Sequence, residues 1–161
     1  MSDPPAVGRG DLGFLLAKAT QRWNELLAER FAAAGFGDVR PSYGSVLVPL
    51  YEEDGLRLGE LARRARLSKQ TMTELVRRLE RDGLVKRRAD PSDGRASLAY
   101  LTSRSRAFEP IVAEILTELD LLARGRLDDE GVDALKTALT ELLSLGDLTA
   151  ERDRGVVAAP G

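Results

Sequence analysis

The tightest constraint on the fold is a change of apolar spacing within one run. Residues 58–102 read LGELARRARLSKQTMTELVRRLERDGLVKRRADPSDGRASLAYLT. Leu58, Leu61 and Ala62 fall three and four apart, which predicts a short helix over about 58–65. Ser68 is a residue type that caps helices, and Leu67 and Met72 stand at the positions of a hydrophobic staple. Met72, Leu75, Val76 and Leu79 form the apolar stripe of a second helix, stopped by Gly83. Leu84–Arg88 and Ser97–Leu101 read as strands around Asp90-Pro91-Ser92-Asp93-Gly94, which is turn chemistry. The order is helix, turn, helix, hairpin.

Long helical patterns flank this unit. From Asp11, the residues Leu12, Leu15, Leu16, Ala19, Trp23, Leu26, Leu27 and Phe31 share one stripe, ended by Gly35 and Gly37. Pro41 and Ser42 open a second helix carrying Val46, Leu47, Leu50 and Tyr51, with a kink or weak point expected at Pro49 and a stop at Gly55. After Thr102, a stripe runs through Phe108, Ile111, Val112, Ile115, Leu116, Leu119 and Leu122, with a bend expected at Pro110. Asp128 is placed to cap a last helix bearing Val132, Leu135, Leu139, Leu142 and Leu143. The expected fold is mainly α with a small β-hairpin. Its segments are a Pro/Gly-rich arm (1–10), N-terminal helices (11–55), a central lobe (56–102), C-terminal helices (103–146) and a loose tail (147–161). The central lobe is too small to cover both terminal stripes. They bury against each other within one chain or interleave with a second copy, and a two-fold homodimer is the expectation.

Composition narrows the chemistry. Aromatic residues make up 5% of the 161, and the apolar set is mostly Leu, Ala and Val, which favours helix packing. No apolar run approaches the roughly 18–20 residues of a membrane span, and the first residues lack a signal-peptide layout. A cytoplasmic protein without membrane contact is expected. Cys and His are both absent. Disulfides and thiol sensing are thereby excluded, and neither a structural zinc site nor any other metal or cofactor is expected. The net charge of −2 hides a split: residues 57–106 hold fourteen Lys/Arg against six Asp/Glu, or +8, and the remainder carries −10. A basic block in an acidic chain suits a polyanion, although a solvated, salt-bridged helix face has the same composition.

The second central helix has the length to enter the major groove of duplex DNA. Its exposed N-terminal side offers Ser68, Lys69, Gln70 and Thr73, with Arg77 one turn on. Gln can bond adenine bidentately, Lys suits guanine, and Thr can bond a base or touch a thymine methyl. Arg63, Arg64 and Arg66 flank the turn between the helices and suit the phosphate backbone. Arg87 leads into a hairpin whose tip carries Arg95, suited to a narrow minor groove. Asp93 is placed to hold the Arg95 guanidinium, or the two form a self-contained turn salt bridge.

Residues 58–102 resemble the MarR (multiple-antibiotic-resistance regulator) family of transcription factors. The likeness lies in Leu-Ala, the Ser before the second helix, Leu-Glu-x-x-Gly-Leu-Val, Asp-Pro-x-Asp-x-Arg and the closing Leu-Thr, and the flanking helices extend it to about residues 11–146. The resemblance implies a winged helix-turn-helix with long N- and C-terminal dimerisation helices, a homodimer on a pseudo-palindromic operator, and release by a small organic, possibly aromatic, effector. By the same analogy Trp23, Tyr43, Leu47 and Phe108 are candidate effector contacts, with core packing as the alternative role. Three positions depart from the family pattern. Arg57 stands where Ser or Thr often caps a helix, Gly94 replaces a common second Arg, and Pro49 is unusual. The remaining motifs carry no catalytic reading. Residues 8–13, GRGDLG, match a dinucleotide-binding spacing without a strand before it, and the carboxylate pairs read as helix ends. An enzyme is therefore not expected. The alternative function is a winged-helix module that docks a protein partner and has no effector.

Overall fold

The computed structural model describes residues 7–145. The expected tail from 147, and the expected arm apart from residues 7–10, lie outside the described residues. The chain divides into two units, Met1–Ile115 and Leu116–Gly161. Among the described residues no helix is long and apolar enough to cross a membrane.

In the first unit, a turn closed by Gly8 donating to the Asp11 carboxylate (2.6 Å) leads into α1, Leu12–Ala33. Gly35, at φ +86°, closes α1 as expected, with the Phe36 amide donating back to the Phe31 carbonyl. Only Leu27 and Phe31 of α1 are buried; Leu12, Phe14, Leu15 and Trp23 are exposed. A 3-10 turn (Pro41–Tyr43) precedes α2, Gly44–Glu52, which runs through Pro49 without interruption.

The central lobe has the predicted order with one added strand. β1 (Leu56–Arg57) pairs with β3 (Asp93–Leu101), which also pairs with β2 (Val85–Asp90), giving a three-stranded antiparallel sheet ordered β1-β3-β2. Two residues are too few to show a strand period, so β1 left no sequence signal. The hairpin also runs further than expected, with Asp90 and Asp93 paired across Pro91-Ser92. Between β1 and the hairpin come α3, Leu58–Ala65, and α4, Lys69–Arg81. The turn joining them contains Arg66 in the left-handed region (φ 54°), with the Leu67 amide donating to the Ala62 carbonyl. Met72, Val76 and Leu79 of α4 are fully buried, each contributing on the order of 2 kcal/mol through loss of apolar surface to water.

α5 (Ser103–Leu142) starts in the first unit, and its first turn fastens the lobe. The Thr102 hydroxyl donates to the Gly83 carbonyl (2.6 Å), while the Ser105 hydroxyl accepts from the Thr102 amide (2.9 Å). Arg104 donates to the Asp82 carbonyl (2.5 Å) and to Asp38 (2.6 Å), and Arg106 pairs with Asp54 (2.6 Å). Phe108 packs edge-on to Phe31 and tilted against Phe36.

In the second unit, Asp128 breaks α5 at φ 59°, ψ 178°, and its carboxylate accepts from the Gly131 amide (2.8 Å), the cap that the sequence predicts. In the first unit, by contrast, helical angles continue through Pro110, where a bend was expected. Arg124 reaches Asp120 before the break and Asp129 and Asp133 after it, at 2.7, 3.1 and 3.0 Å. Leu116, Leu121, Leu122, Leu127, Leu135, Leu139 and Leu143 are exposed.

Gly55 and Gly59 predict effects of opposite sign. Gly55 has φ +75°, and a Cβ there would lie 2.7 Å from Tyr100 Cε1. Gly55→Ala is expected to lower unfolding stability by about 2 kcal/mol. Gly59 lies in α3 with open space around it, so Gly59→Ala is expected to add about 0.5–1 kcal/mol. Chemical denaturation of both variants checks the pair of signs.

Candidate nucleic-acid interface

The buried stripe of α4 fixes which side chains face outward. Lys69, Thr73 and Arg77 stand four apart on one edge of the helix, with Gln70 beside them, and Lys69, Gln70 and Arg77 are exposed. Among the described residues the side chains of Lys69, Gln70 and Arg77 have no intramolecular partner, so their donors remain available. Ser68 is committed otherwise: its hydroxyl oxygen accepts from the Thr71 amide (3.1 Å), and its hydroxyl donates to Thr71 Oγ1 (2.9 Å). It starts the helix and has little left for a ligand. The Thr73 hydroxyl donates to the Lys69 carbonyl (2.8 Å), which leaves its oxygen lone pairs open to a donor.

A groove of about 610 Å³ separates α4 from the hairpin. Lys69 and Thr73 form one wall, Arg87 and Arg95 to Ser97 another, and Arg57 to Glu60 the end. Four of the sequence-predicted residues, Lys69, Thr73, Arg87 and Arg95, therefore share one cleft. Ser68, Gln70, Arg63, Arg64, Arg77 and Asp93 lie outside its lining. The four cations facing the cleft meet one acid of its lining, Glu60, so a polyanion finds a net positive surface.

Like Arg77, two further arginines are unpartnered: Arg66 and Arg95 have no intramolecular side-chain partner among the described residues. Arg63, Arg64 and Arg87 are paired. Glu60 accepts from Arg63 Nε (2.9 Å), Arg63 NH2 (2.6 Å) and Arg64 Nε (2.8 Å), and Arg64 also pairs with Glu53 (2.9 Å). Arg87 pairs with Glu80 (2.8 Å). Arg63 and Arg64 are thus held against α3 and not extended from the turn.

At the hairpin tip the Asp93 carboxylate accepts from the Arg95 backbone amide (3.1 Å), and among the described residues no ion pair joins their side chains. Asp93 shapes the turn and leaves the Arg95 guanidinium unpaired. The neighbouring carboxylate, Asp90, is 7% exposed. It accepts from the Ser92 amide (2.9 Å) and hydroxyl (2.7 Å), and lies 2.6 Å from Arg57. The Ser92 donors, with the Arg57 charge, hold its pKa below the usual carboxylate range.

The candidate effector residues are placed differently. Tyr43, Leu47 and Phe108 are core residues, 1%, 3% and 2% exposed, while Trp23 is 37% exposed on α1. The Tyr43 hydroxyl donates to Asp82 (2.5 Å), and burial, followed by that carboxylate, raises its pKa. This bond joins the start of α2 to the end of α4.

Glu60, Asp90 and Arg57 have no place among the site residues expected from sequence, whereas Arg66 was expected there as a backbone contact. Glu60 was legible as Glu-x-x-Arg-Arg, the three- and four-residue spacing of helical ion pairs. Asp90 was legible as an Asx turn before Pro. The reach of Arg57 across a sheet, and the left-handed Arg66, left no local signal.

Hydrogen bonds from Arg63, then Arg64, lower the Glu60 pKa to about 2. A carboxyl group depressed in the folded state adds stability that is complete above its unfolded pKa. That stability is lost as pH falls through the folded value. Carboxyl-carbon NMR is expected to show Glu60 titrating near pH 2, and Arg63→Ala is expected to move it back toward the ordinary range. A Glu60 that titrates normally in the wild type contradicts the clamp.

The MarR family model matches residues 41–97, the segment that builds both walls of the groove. The HTH-type transcriptional repressor Rv2887 of Mycobacterium tuberculosis is 37% identical over 78 residues, covering 48% of this chain and 56% of that protein. The chain spans 33% to 79% of the length of the curated relatives it matches, and 56% for the mycobacterial repressor. The crystal structure of a probable transcriptional regulator from Pseudomonas aeruginosa superposes with a TM-score of 0.70 at 30% identity, over 83% of this chain and 97% of that one. MepR of S. aureus, solved as a DNA complex, gives a TM-score of 0.72 at 23% identity, over 83% and 96%, and shares the fold. The family match over the central lobe, with the likeness to these regulators over most of the chain, places it in the MarR family, whose members are transcription regulators and not enzymes.

Proposed function

We propose that this protein is a homodimeric, sequence-specific DNA-binding repressor, acting in the cytoplasm on a pseudo-palindromic operator and released by a small organic ligand. The observation that carries the reading is the cleft between α4 and the wing, walled by Lys69, Thr73, Arg87 and Arg95. In this reading α4 enters the major groove, with Lys69, Gln70 and Thr73 facing base edges. Arg95 reaches the adjacent minor groove from the wing that Asp93 shapes. Arg77 and Arg66 take phosphates, and Arg63, Arg64 and Arg87 do so after exchanging their carboxylate partners for them. Ser68 serves by setting the start of α4 (its hydroxyl is already bonded).

A second copy would cover the apolar surfaces left open on α1 and on α5 beyond Leu116. Residues 11–55 and 103–146 are then the supporting and dimerisation segments, and 56–102 the DNA-binding lobe. Two-fold symmetry would set two reading helices about 34–36 Å apart, one helical turn of DNA. Repression is favoured by the naming of the mycobacterial relative as a repressor. An aromatic or other lipophilic effector entering beside Trp23 would have to loosen the core around Tyr43, Leu47 and Phe108. Because Tyr43 bonds Asp82 at the end of α4, that loosening would bias the setting of the reading helix, a population shift.

Selection of bound duplexes from a random pool is expected to return a palindromic consensus, and sedimentation is expected to find a dimer. The logarithm of the affinity should fall linearly with log salt, with a slope of about −0.9 per phosphate neutralised. A shallow slope without a consensus would favour a protein-docking module instead. Gln70→Ala is expected to relax choice at one base pair per half-site by about 1–3 kcal/mol, and Arg95→Ala to weaken binding at A/T-rich flanks. Uniform losses on every sequence for Gln70→Ala would restrict it to backbone contact. Unchanged operator affinity across a panel of aromatic acids and lipophilic compounds would remove the effector from the reading.

A further inference from the structure

We infer that Arg57 is a positioning residue for the wing: it ties the start of the helix-turn-helix to the hairpin tip, and so holds Arg95 at a set distance from Lys69. The inference rests on the DNA-binding reading above. Arg57 ends β1 and stands at the N-cap of α3, yet its side chain makes no cap bond there. β1 and β2 are the two edges of the sheet, with β3 between them. The Arg57 guanidinium nevertheless lies 2.6 Å from Asp90, the last residue of β2, and donates to the Ser92 hydroxyl in the turn (3.2 Å). It therefore spans the central strand and joins both edges.

The tip has little else to hold it. β1 pairs with β3 only at Leu56↔Ala99 and Arg57↔Leu98. Beyond that row the wing is a two-stranded ribbon, with an irregularity between Ala89 and Asp90. Such ribbons are marginal alone and vary in twist. Asp90 is mostly buried, its other oxygen is taken by the Ser92 amide and hydroxyl, and among the described residues its one cationic partner is Arg57. One guanidinium thus balances the carboxylate that organises the turn. A hydroxyl residue at position 57 would cap α3 but could not reach Asp90. Helix stability and wing order are then set against each other at a single position.

The test uses the full-length protein. In Arg57→Thr the melting temperature should hold or rise, while the Ser92 and Arg95 amides exchange with solvent about tenfold faster and the α4 amides do not change. On a duplex selected by the wild type, binding should weaken about tenfold. Hydroxyl-radical protection should disappear under the wing while major-groove contacts persist. Asp90→Asn should act in the same direction, and the double variant should be no weaker than either single one. Unchanged wing amides in Arg57→Thr overturn the inference. So do losses that add in the double variant with a salt slope reduced by about 0.9, because Arg57 would then be a phosphate contact in its own right. If the wild type binds no duplex, the DNA-binding reading fails, and amide exchange alone decides whether the strap exists.

Discussion

The rotational setting of α4 is the constraint on which the rest depends. Met72, Val76 and Leu79 are wholly buried, so the helix cannot turn about its axis without exposing them. Its ends are also fixed. Ser68 caps the start, and at the other end Gly83 stands at φ +74° while Asp82 is held through its carboxylate by Tyr43 and through its carbonyl by Arg104. Burial decides which edge faces out, and the caps decide where that edge begins. Lys69, Gln70, Thr73 and Arg77 are presented as a consequence.

Charge is distributed on a second principle. The basic block is not a uniform field, because about half of its cations near the cleft already have carboxylate partners. Arg63, Arg64, Arg87 and Arg57 are oriented by Glu60, Glu53, Glu80 and Asp90. Lys69, Arg77 and Arg95 are left with open donors. A pre-oriented guanidinium loses less side-chain freedom when it meets a phosphate, but it must exchange one anion for another. Unpaired cations gain the whole of the new contact.

Much of this was legible in the residues. The three-to-four spacing of Leu58, Leu61 and Ala62 and the Ser68 cap placed the lobe's helices within a residue or two, and the Asp-Pro-Ser-Asp-Gly turn located the hairpin, whose second strand starts four residues earlier than expected. Asp128 was read correctly as a cap. What escaped was long-range or non-local. β1 exists because β3 offers it an edge, and two residues carry no period. Arg63 and Arg64 were expected at the phosphate backbone, and a sequence shows charges but not which neighbour captures them, although Glu60 was close enough to suggest it. Asp93 was paired with the Arg95 side chain when it bonds the backbone instead, since carboxylates in tight turns reach the nearest amide first. The stripe of α1 was visible, but whether a given Leu is covered depends on what packs against it.

The break at Asp128 has a mechanical meaning. Its backbone sits in a region that residues with a side chain rarely adopt, and Arg124 fastens the helix on both sides of the break through Asp120, Asp129 and Asp133. The elbow is clasped by ions at the surface, and such attractions fade as the Debye length shrinks. Stiffness at this joint is therefore a property of the surrounding electrolyte as much as of the polypeptide.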